Sequence, residues 1–178
     1  STPAKNMSLI NKFFFISKNL EDKLSSFKSL KKTKAILQLF SAIESYSENS
    51  EVRYVGGCVR KALNNEVLDD IDLAVNLKPN ECIEALNNNN IKFYETGIKH
   101  GTITAIIGNH KFEITSLRKD LNTDGRHAEV SFSKDWHVDA SRRDFTINSI
   151  YADINGNLFD PFDGKEDLIN GKINFIGD

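Results

Sequence analysis

Val52-Arg53-Tyr54-Val55-Gly56-Gly57-Cys58-Val59-Arg60, followed by Asp70-Ile71-Asp72-Leu73-Ala74-Val75, is the stretch from which the fold is read. Val52 to Val55 is short and rich in β-formers, so it reads as a strand. Gly56-Gly57 breaks it, and a helix is expected over about residues 58–63. Asn64-Asn65 suits the end of that helix, because asparagine tolerates the left-handed conformation common there. Residues 70–75 alternate as a second strand. Residues i and i+2 of a strand point to one face, so Asp70 and Asp72 can converge on one spot. Two carboxylates held close repel unless a cation neutralises them. Mg²⁺ takes one or two such carboxylates together with phosphates and water. By itself Asp-x-Asp is more often an exposed strand end than a metal site.

Working outward, residues 79–86 read as a helix, with Pro79 near its first turn. Three strand-like runs follow, at 91–94, 102–107 and 111–117, with Gly108-Asn109 as a hairpin turn between the last two. Residues 118–124 read as a polar loop and 128–132 as a strand. A helix over 140–151 fits the spacing of Phe145, Ile147 and Ile150. Asn155-Gly156, Leu158-Phe159 and Asp163-Gly164 read as a terminal hairpin and turn. Upstream, Ile36, Leu37, Phe40 and Ile43 define an amphipathic helix over 31–47, and 9–30 is a second helical stretch. The expected fold class is α+β: a small, mixed, mostly antiparallel sheet flanked by helices, since short hairpins argue against a purely parallel sheet. Residues 1–50 are expected as an N-terminal helical extension, with 1–6 an expression scar ahead of Met7. Residues 51–178 are expected as one domain.

The composition, 39% hydrophobic and 27% charged, is that of an ordinary globular chain. No apolar run approaches the roughly 18 residues of a membrane span, and Phe13-Phe14-Phe15-Ile16 lacks a cleavage site, so neither a membrane partner nor a secretory signal is expected. Cys58 and Cys82 form no Cys-x-x-Cys pair and read as reduced core thiols of a cytoplasmic-type compartment. The four histidines show no zinc-ligand spacing. Residues 1–50 hold eight lysines and four acids, while the remainder holds 15 Lys/Arg and 21 acids. An acidic region can still act on polyanions where its carboxylates hold Mg²⁺ and a few arginines meet phosphate.

Three further features carry chemistry. Gly56, Gly57 and Arg60 sit at a strand-to-helix turn, where glycine lets phosphate approach, the helix N-terminus is positive and arginine adds a forked contact; an ordinary turn is the plainer reading. Asp139-Ala140-Ser141-Arg142-Arg143-Asp144-Phe145-Thr146-Ile147-Asn148 pairs Asp139 with Arg142 and Asp144 with Asn148 at helical spacing. Either these are internal salt bridges on an exposed helix, or the arginines meet nucleotide phosphates and Asp139 meets a ribose hydroxyl. Glu113 joins the aspartate pair if its strand lies beside theirs, and is otherwise an exposed edge residue.

Together these motifs resemble the class II tRNA nucleotidyltransferase and bacterial poly(A) polymerase family over roughly residues 50–178. The resemblance adds Lys99-His100-Gly101-Thr102, Glu113-Ile114-Thr115, Thr123-Asp124-Gly125-Arg126-His127-Ala128, Asp135-Trp136 and Asp160-Pro161-Phe162. It implies a polymerase-β-like palm, the head domain of the family. Asp70 and Asp72 would hold two Mg²⁺ ions, with Glu113 as the third acid. Gly56, Gly57 and Arg60 would meet the triphosphate of CTP or ATP. Asp139, Arg142, Arg143 and Asn148 belong to the ribose- and phosphate-binding block, and Asp124, Arg126 and His127 to the family's mobile loop. The implied activity is addition of CMP and AMP, as CCA, to tRNA 3′ ends in the bacterial cytoplasm, with a mitochondrial location as the alternative. A poly(A) polymerase, or an enzyme adding only A or only CC, shares these motifs.

Two positions depart from the family pattern. Lys61 stands where Asp is usual after the arginine, and Asn65 where Gly is usual. Lys61 is the feature that favours a reading of another class, a non-catalytic RNA-binding module on the same fold. The neck, body and tail that follow in the family, which read the base and bind most of the tRNA, have no counterpart before Asp178. The chain therefore reads as the head part of a longer protein, the alternative being a naturally short head-only one.

Overall fold

The computed structural model describes residues 33–59, 71–121 and 129–177. Helix α1 (Lys34–Glu44) leads into strand β1 (Val52–Val55), then β2 (Ile71–Val75), helix α2 (Pro79–Asn88) and strands β3 (Lys92–Gly97), β4 (Thr102–Ile107) and β5 (His110–Ser116). A hairpin of β6 (Arg118–Leu121) and β7 (Glu129–Phe132) follows, then helix α3 (Trp136–Ser141), strands β8 (Tyr151–Ala152) and β9 (Leu158–Phe159), and helix α4 (Gly164–Ile169). Among the described residues the main sheet has seven strands, in the order β3-β4-β5-β2-β1-β8-β9. Only β2 and β5 pair in parallel; the other neighbours are antiparallel. The expected mixed, mostly antiparallel sheet with flanking helices is what forms.

Alternation along the strands sends Tyr54, Ile71, Leu73, Phe112, Ile114 and Ile103 to one face, where α1 and α2 bury them. Phe40 of α1 meets Tyr54 at a ring separation of 5.2 Å. The α1 stripe is Ile36, Leu39, Phe40 and Ile43, not the expected set with Leu37, which is 46% exposed on the outer side. Helix α1 shares the principal core with β1 and β2. The α2 N-terminus forms as the early proline predicts, and the Glu81 carboxylate accepts the Lys78 N–H at 2.9 Å.

Among the described residues, the opposite face of the sheet is covered toward β1 and β8, where Val55, Ala74, Leu117, Ala140 and Tyr151 form a smaller cluster beside Trp136 and Phe159. Two expectations fail here. Residues 118–121 pair with β7 as a strand, although their polar side chains read as a loop; the ladder is made by main-chain groups and needs no apolar side chains. The helix expected over 140–151 is instead α3, ending at Ser141, then a 3₁₀ turn at Thr146–Asn148, then β8. Asp135 starts α3 early, accepting N–H bonds from His137 and Val138.

The β6–β7 hairpin is held to the main sheet at Gly101. That residue has φ +79°, and a Cβ there would lie 2.6 Å from Phe132 Cε1. Gly101→Ala should therefore lower stability by about 2–4 kcal/mol, from left-handed strain plus overpacking. Urea denaturation checks this, and an unchanged midpoint would mean that Phe132 yields without cost.

Candidate active site

The parallel pairing of β2 with β5 sets Asp72 directly opposite Glu113 on the face away from the principal core. Two carboxylates separated by forty residues in the chain become neighbours about one strand spacing, ~4.8 Å, apart at their Cα atoms. Asp72 is partly buried and Glu113 exposed. At the end of β1 the chain turns through Gly56, at φ +64°, and helical structure begins at Gly57. A Cβ on Gly57 would lie 3.9 Å from Asp72 Oδ2, and one on Gly56 would lie 3.8 Å from Arg143 Nη1. The double glycine is thus a bare floor between a carboxylate and a guanidinium. Beneath it the Cys58 thiol donates to the carbonyls of Asp72 and Val55, at 3.3 and 3.5 Å, tying the turn to β2. Burial pushes the Cys58 thiol up to about 11 and that of Cys82 to about 12, so both stay protonated and serve the core, as expected.

Arg142 and Arg143 come together on Asp139, which is only 1% exposed. Asp139 Oδ1 accepts from Arg142 Nε at 3.2 Å and from the Arg118 N–H at 3.0 Å. Its Oδ2 accepts from Arg143 Nη2 at 3.2 Å and from the Tyr151 hydroxyl, which itself accepts from Arg143 Nε at 3.1 Å. Burial alone would raise the Asp139 pKa, but the charge of Arg143, the Tyr151 hydroxyl, the charge of Arg142 and the Arg118 N–H together hold it below the usual carboxylate range. Arg118 is pulled the other way: burial and the neighbouring charge of Arg142 lower its pKa. Its Nε is buried without a hydrogen-bond partner. The guanidiniums of Arg142 and Arg143 share the Asp139 carboxylate while that of Arg118 stands near by, and this excess of positive charge favours an anion.

The cleft so formed, about 580 Å³, is lined by Gly56, Gly57, Arg118, Arg142, Arg143, Asp144 and Asn148. Five residues expected from sequence therefore meet in one place: Gly56, Gly57, Arg142, Arg143 and Asn148. Arg60, Asp70, Asp124, Arg126 and His127 lie outside the described residues, as do Lys61 and Asn65. The expected ribose contact of Asp139 does not fit its position, because both its oxygens are occupied beneath the arginines. The expected helical pairing of Asp144 with Asn148 is also absent, since the chain leaves the helix before Asp144; the Asp144 carboxylate accepts the Phe145 N–H instead. Arg118 and Tyr151 were missed. Arg118 follows the Glu113 strand closely, and a cation at a strand exit was the one signal available; nothing local marked Tyr151.

Asp72 and Glu113 offer hard oxygen donors beside an anion-binding cleft, the donor chemistry that Mg²⁺ accepts, with phosphate and water supplying the rest. Among the described residues no group of three or more His, Cys, Asp or Glu side chains forms a protein-only metal cage. No described helix is long and apolar enough to cross a membrane.

Residues 52–174 match the family described as the poly A polymerase head domain. The chain is 47% identical over 145 residues to the human mitochondrial CCA tRNA nucleotidyltransferase 1, a match covering 81% of this chain and 32% of that protein. It is similar in structure to the Bacillus stearothermophilus CCA-adding enzyme in complex with CTP, with TM-score 0.67 and 28% identity over 80% of this chain and 33% of that one. A tRNA nucleotidyltransferase complexed with a primer tRNA and an incoming ATP analog matches with TM-score 0.58 and 26% identity, over 73% of this chain and 36% of that one. The chain spans about a third of the length of these relatives.

Proposed function

The chain belongs to the poly A polymerase head-domain family, and on that premise we propose that it is the nucleotidyl-transferring head of an enzyme that adds CMP and AMP to tRNA 3′ ends. The observation that carries the reading is the arginine cleft, with its surplus of positive charge, opening beside the Asp72–Glu113 pair. The relatives named above, one in complex with CTP and another with a primer tRNA and an ATP analog, support CTP and ATP as substrates and the tRNA 3′ end as acceptor.

In this reading Arg118, Arg142 and Arg143 hold the triphosphate, and Gly56 and Gly57 let it reach the backbone at the opening of the helix. Asp139 and Tyr151 act from beneath, fixing the two arginines so that little side-chain freedom is lost when nucleotide binds. Asp72 and Glu113, with Asp70 two residues before Asp72 in the sequence, would hold Mg²⁺. When bound, the metal would neutralise charge on the triphosphate and lower the pKa of the attacking hydroxyl. Arg142, Arg143 and Asn148 would favour ribonucleotides. The relatives include a mitochondrial enzyme and a bacterial one, and either compartment supplies tRNA. A poly(A)-adding or partial-adding activity would use the same cleft, and is separated by which nucleotides are incorporated.

Arg118 gives the cleanest test, since among the described residues its side chain makes no ion pair. Arg118→Ala should weaken Mg²⁺-dependent binding of CTP and of ATP alike, by about tenfold or more, the worth of a charge-assisted hydrogen bond. Isothermal titration of the two nucleotides checks this. No binding at millimolar nucleotide by the unsubstituted chain would support the non-catalytic RNA-binding alternative instead.

A further inference from the structure

The arginine cleft lies to one side of the Asp72–Glu113 pair. On the other side the sheet surface over β5, β4 and β3 is left open by the described residues. A straight row of side chains crosses it: Glu113 lies opposite Thr104 and Thr104 opposite Tyr94, all on the same face as Asp72. Tyr94 is 48% exposed, with Lys92 Nζ 5.3 Å from its ring centre. The Thr96 and Thr104 hydroxyls bond each other at 2.8 Å. With Ile106 and Lys111 they line a shallow groove of about 310 Å³ that ends on Glu113.

Transfer chemistry decides what this face is for. At the α-phosphorus the attacking and leaving oxygens stand roughly in line. The 3′-oxygen forms its bond to that phosphorus while the bond to pyrophosphate breaks. Pyrophosphate carries off the electron pair, and the hydroxyl proton goes to water. If the departing phosphates lie in the arginine cleft, the attacking hydroxyl must come from the opposite side of the carboxylate pair, across Glu113.

We infer that the β3–β4–β5 face seats the single-stranded 3′ end of the acceptor RNA. This rests on the transfer reaction proposed above. Tyr94, about two strand spacings (~10 Å) from Glu113, stacks a base upstream of the terminal one. Lys92 and Lys111, both opposite Ile106 on the next rung, set two positive charges beside it that suit the RNA backbone, and the threonine hydroxyls can meet ribose 2′-hydroxyls. An exposed tyrosine beside a rung that carries two lysines is the pairing of stacking platform and positive charge that single strands require.

The test uses the full 178-residue chain and a labelled single-stranded RNA of about ten nucleotides, read by fluorescence anisotropy, beside CTP binding by calorimetry. Tyr94→Ala should weaken RNA binding about tenfold or more, Tyr94→Trp should restore it, and CTP affinity should not change. Replacing Lys92 and Lys111 together by alanine should reduce the slope of log affinity against log salt by about 1.4, near 0.7 for each lysine. RNA binding that is indifferent to Tyr94→Ala, or absent from the unsubstituted chain, overturns the assignment. Tyr94-dependent RNA binding with no CTP binding would uphold this surface and sink the transfer reaction.

Discussion

Asp72→Asn is expected to abolish nucleotide transfer while the protein stays folded. Asparagine keeps the size of the side chain and its place in β2, between Tyr54 of β1 on one flank of the neighbouring rung and Glu113 of β5 on its own. It removes the negative charge beside the glycine floor, within reach of both the cleft and Glu113. Metal-assisted charge stabilisation is worth several kcal/mol in a transition state, so the rate should fall by about 10³-fold or more. Thermal unfolding should move by only a few degrees. A variant retaining a tenth of the rate would show that Asp72 does not hold the reacting centre.

Asp139→Ala should produce the largest loss of stability. It removes the carboxylate that satisfies Arg142, Arg143, the Tyr151 hydroxyl and the Arg118 N–H at once. Deleting one partner of a buried ion pair typically costs about 3–5 kcal/mol, because the remaining charges stay buried without compensation. Nucleotide affinity should fall with it, as the arginines lose their fixed positions. The same group predicts a pH dependence. Its pKa is lowered on folding, so its contribution is fully present above the unfolded value of about 3.9 and is lost as pH falls through the lower folded value. Stability should therefore be flat in this respect from pH 7 to 5 and decline below pH 4, with a shallower decline in Asp139→Asn. Chemical denaturation across pH checks both statements, and an Asp139→Ala variant within 1 kcal/mol of the parent would contradict them.

What the sequence made legible follows from how local each signal was. The β1–glycine–helix passage and the onset of β2 were readable because alternation, a double glycine and an acidic pair all fall within a short segment. The neighbourhood of Asp72 and Glu113 was not, since it depends on a parallel pairing between strands far apart in the chain. Glu113 could be placed beside the aspartates only through family resemblance. The 142–151 segment was misread because Phe145, Ile147 and Ile150 are spaced as on a helix. They reach the interior by a 3₁₀ turn and a short strand instead. Leu37 failed for the converse reason: four apolar residues near helical spacing did not say which neighbour would be turned outward. Asp139 shows the limit most clearly. Its spacing to Arg142 was read correctly, but spacing carries no information on burial, and burial moves it from a ribose contact to a support beneath the arginines. Arg118 became visible only when β6 paired with β7 and brought the strand exit beside Asp139.

The most direct measurement offers the full-length natural protein a tRNA lacking its last three nucleotides, Mg²⁺, and labelled CTP or ATP, with Asp72→Asn in parallel. Incorporation of CMP and then AMP by the parent, and of neither by the variant, is the predicted result. Incorporation of AMP alone would make the enzyme a poly(A)- or A-adding one with the same site. No incorporation of any nucleotide, or equal incorporation by Asp72→Asn, would contradict the assignment of this head as a nucleotidyltransferase working through Asp72.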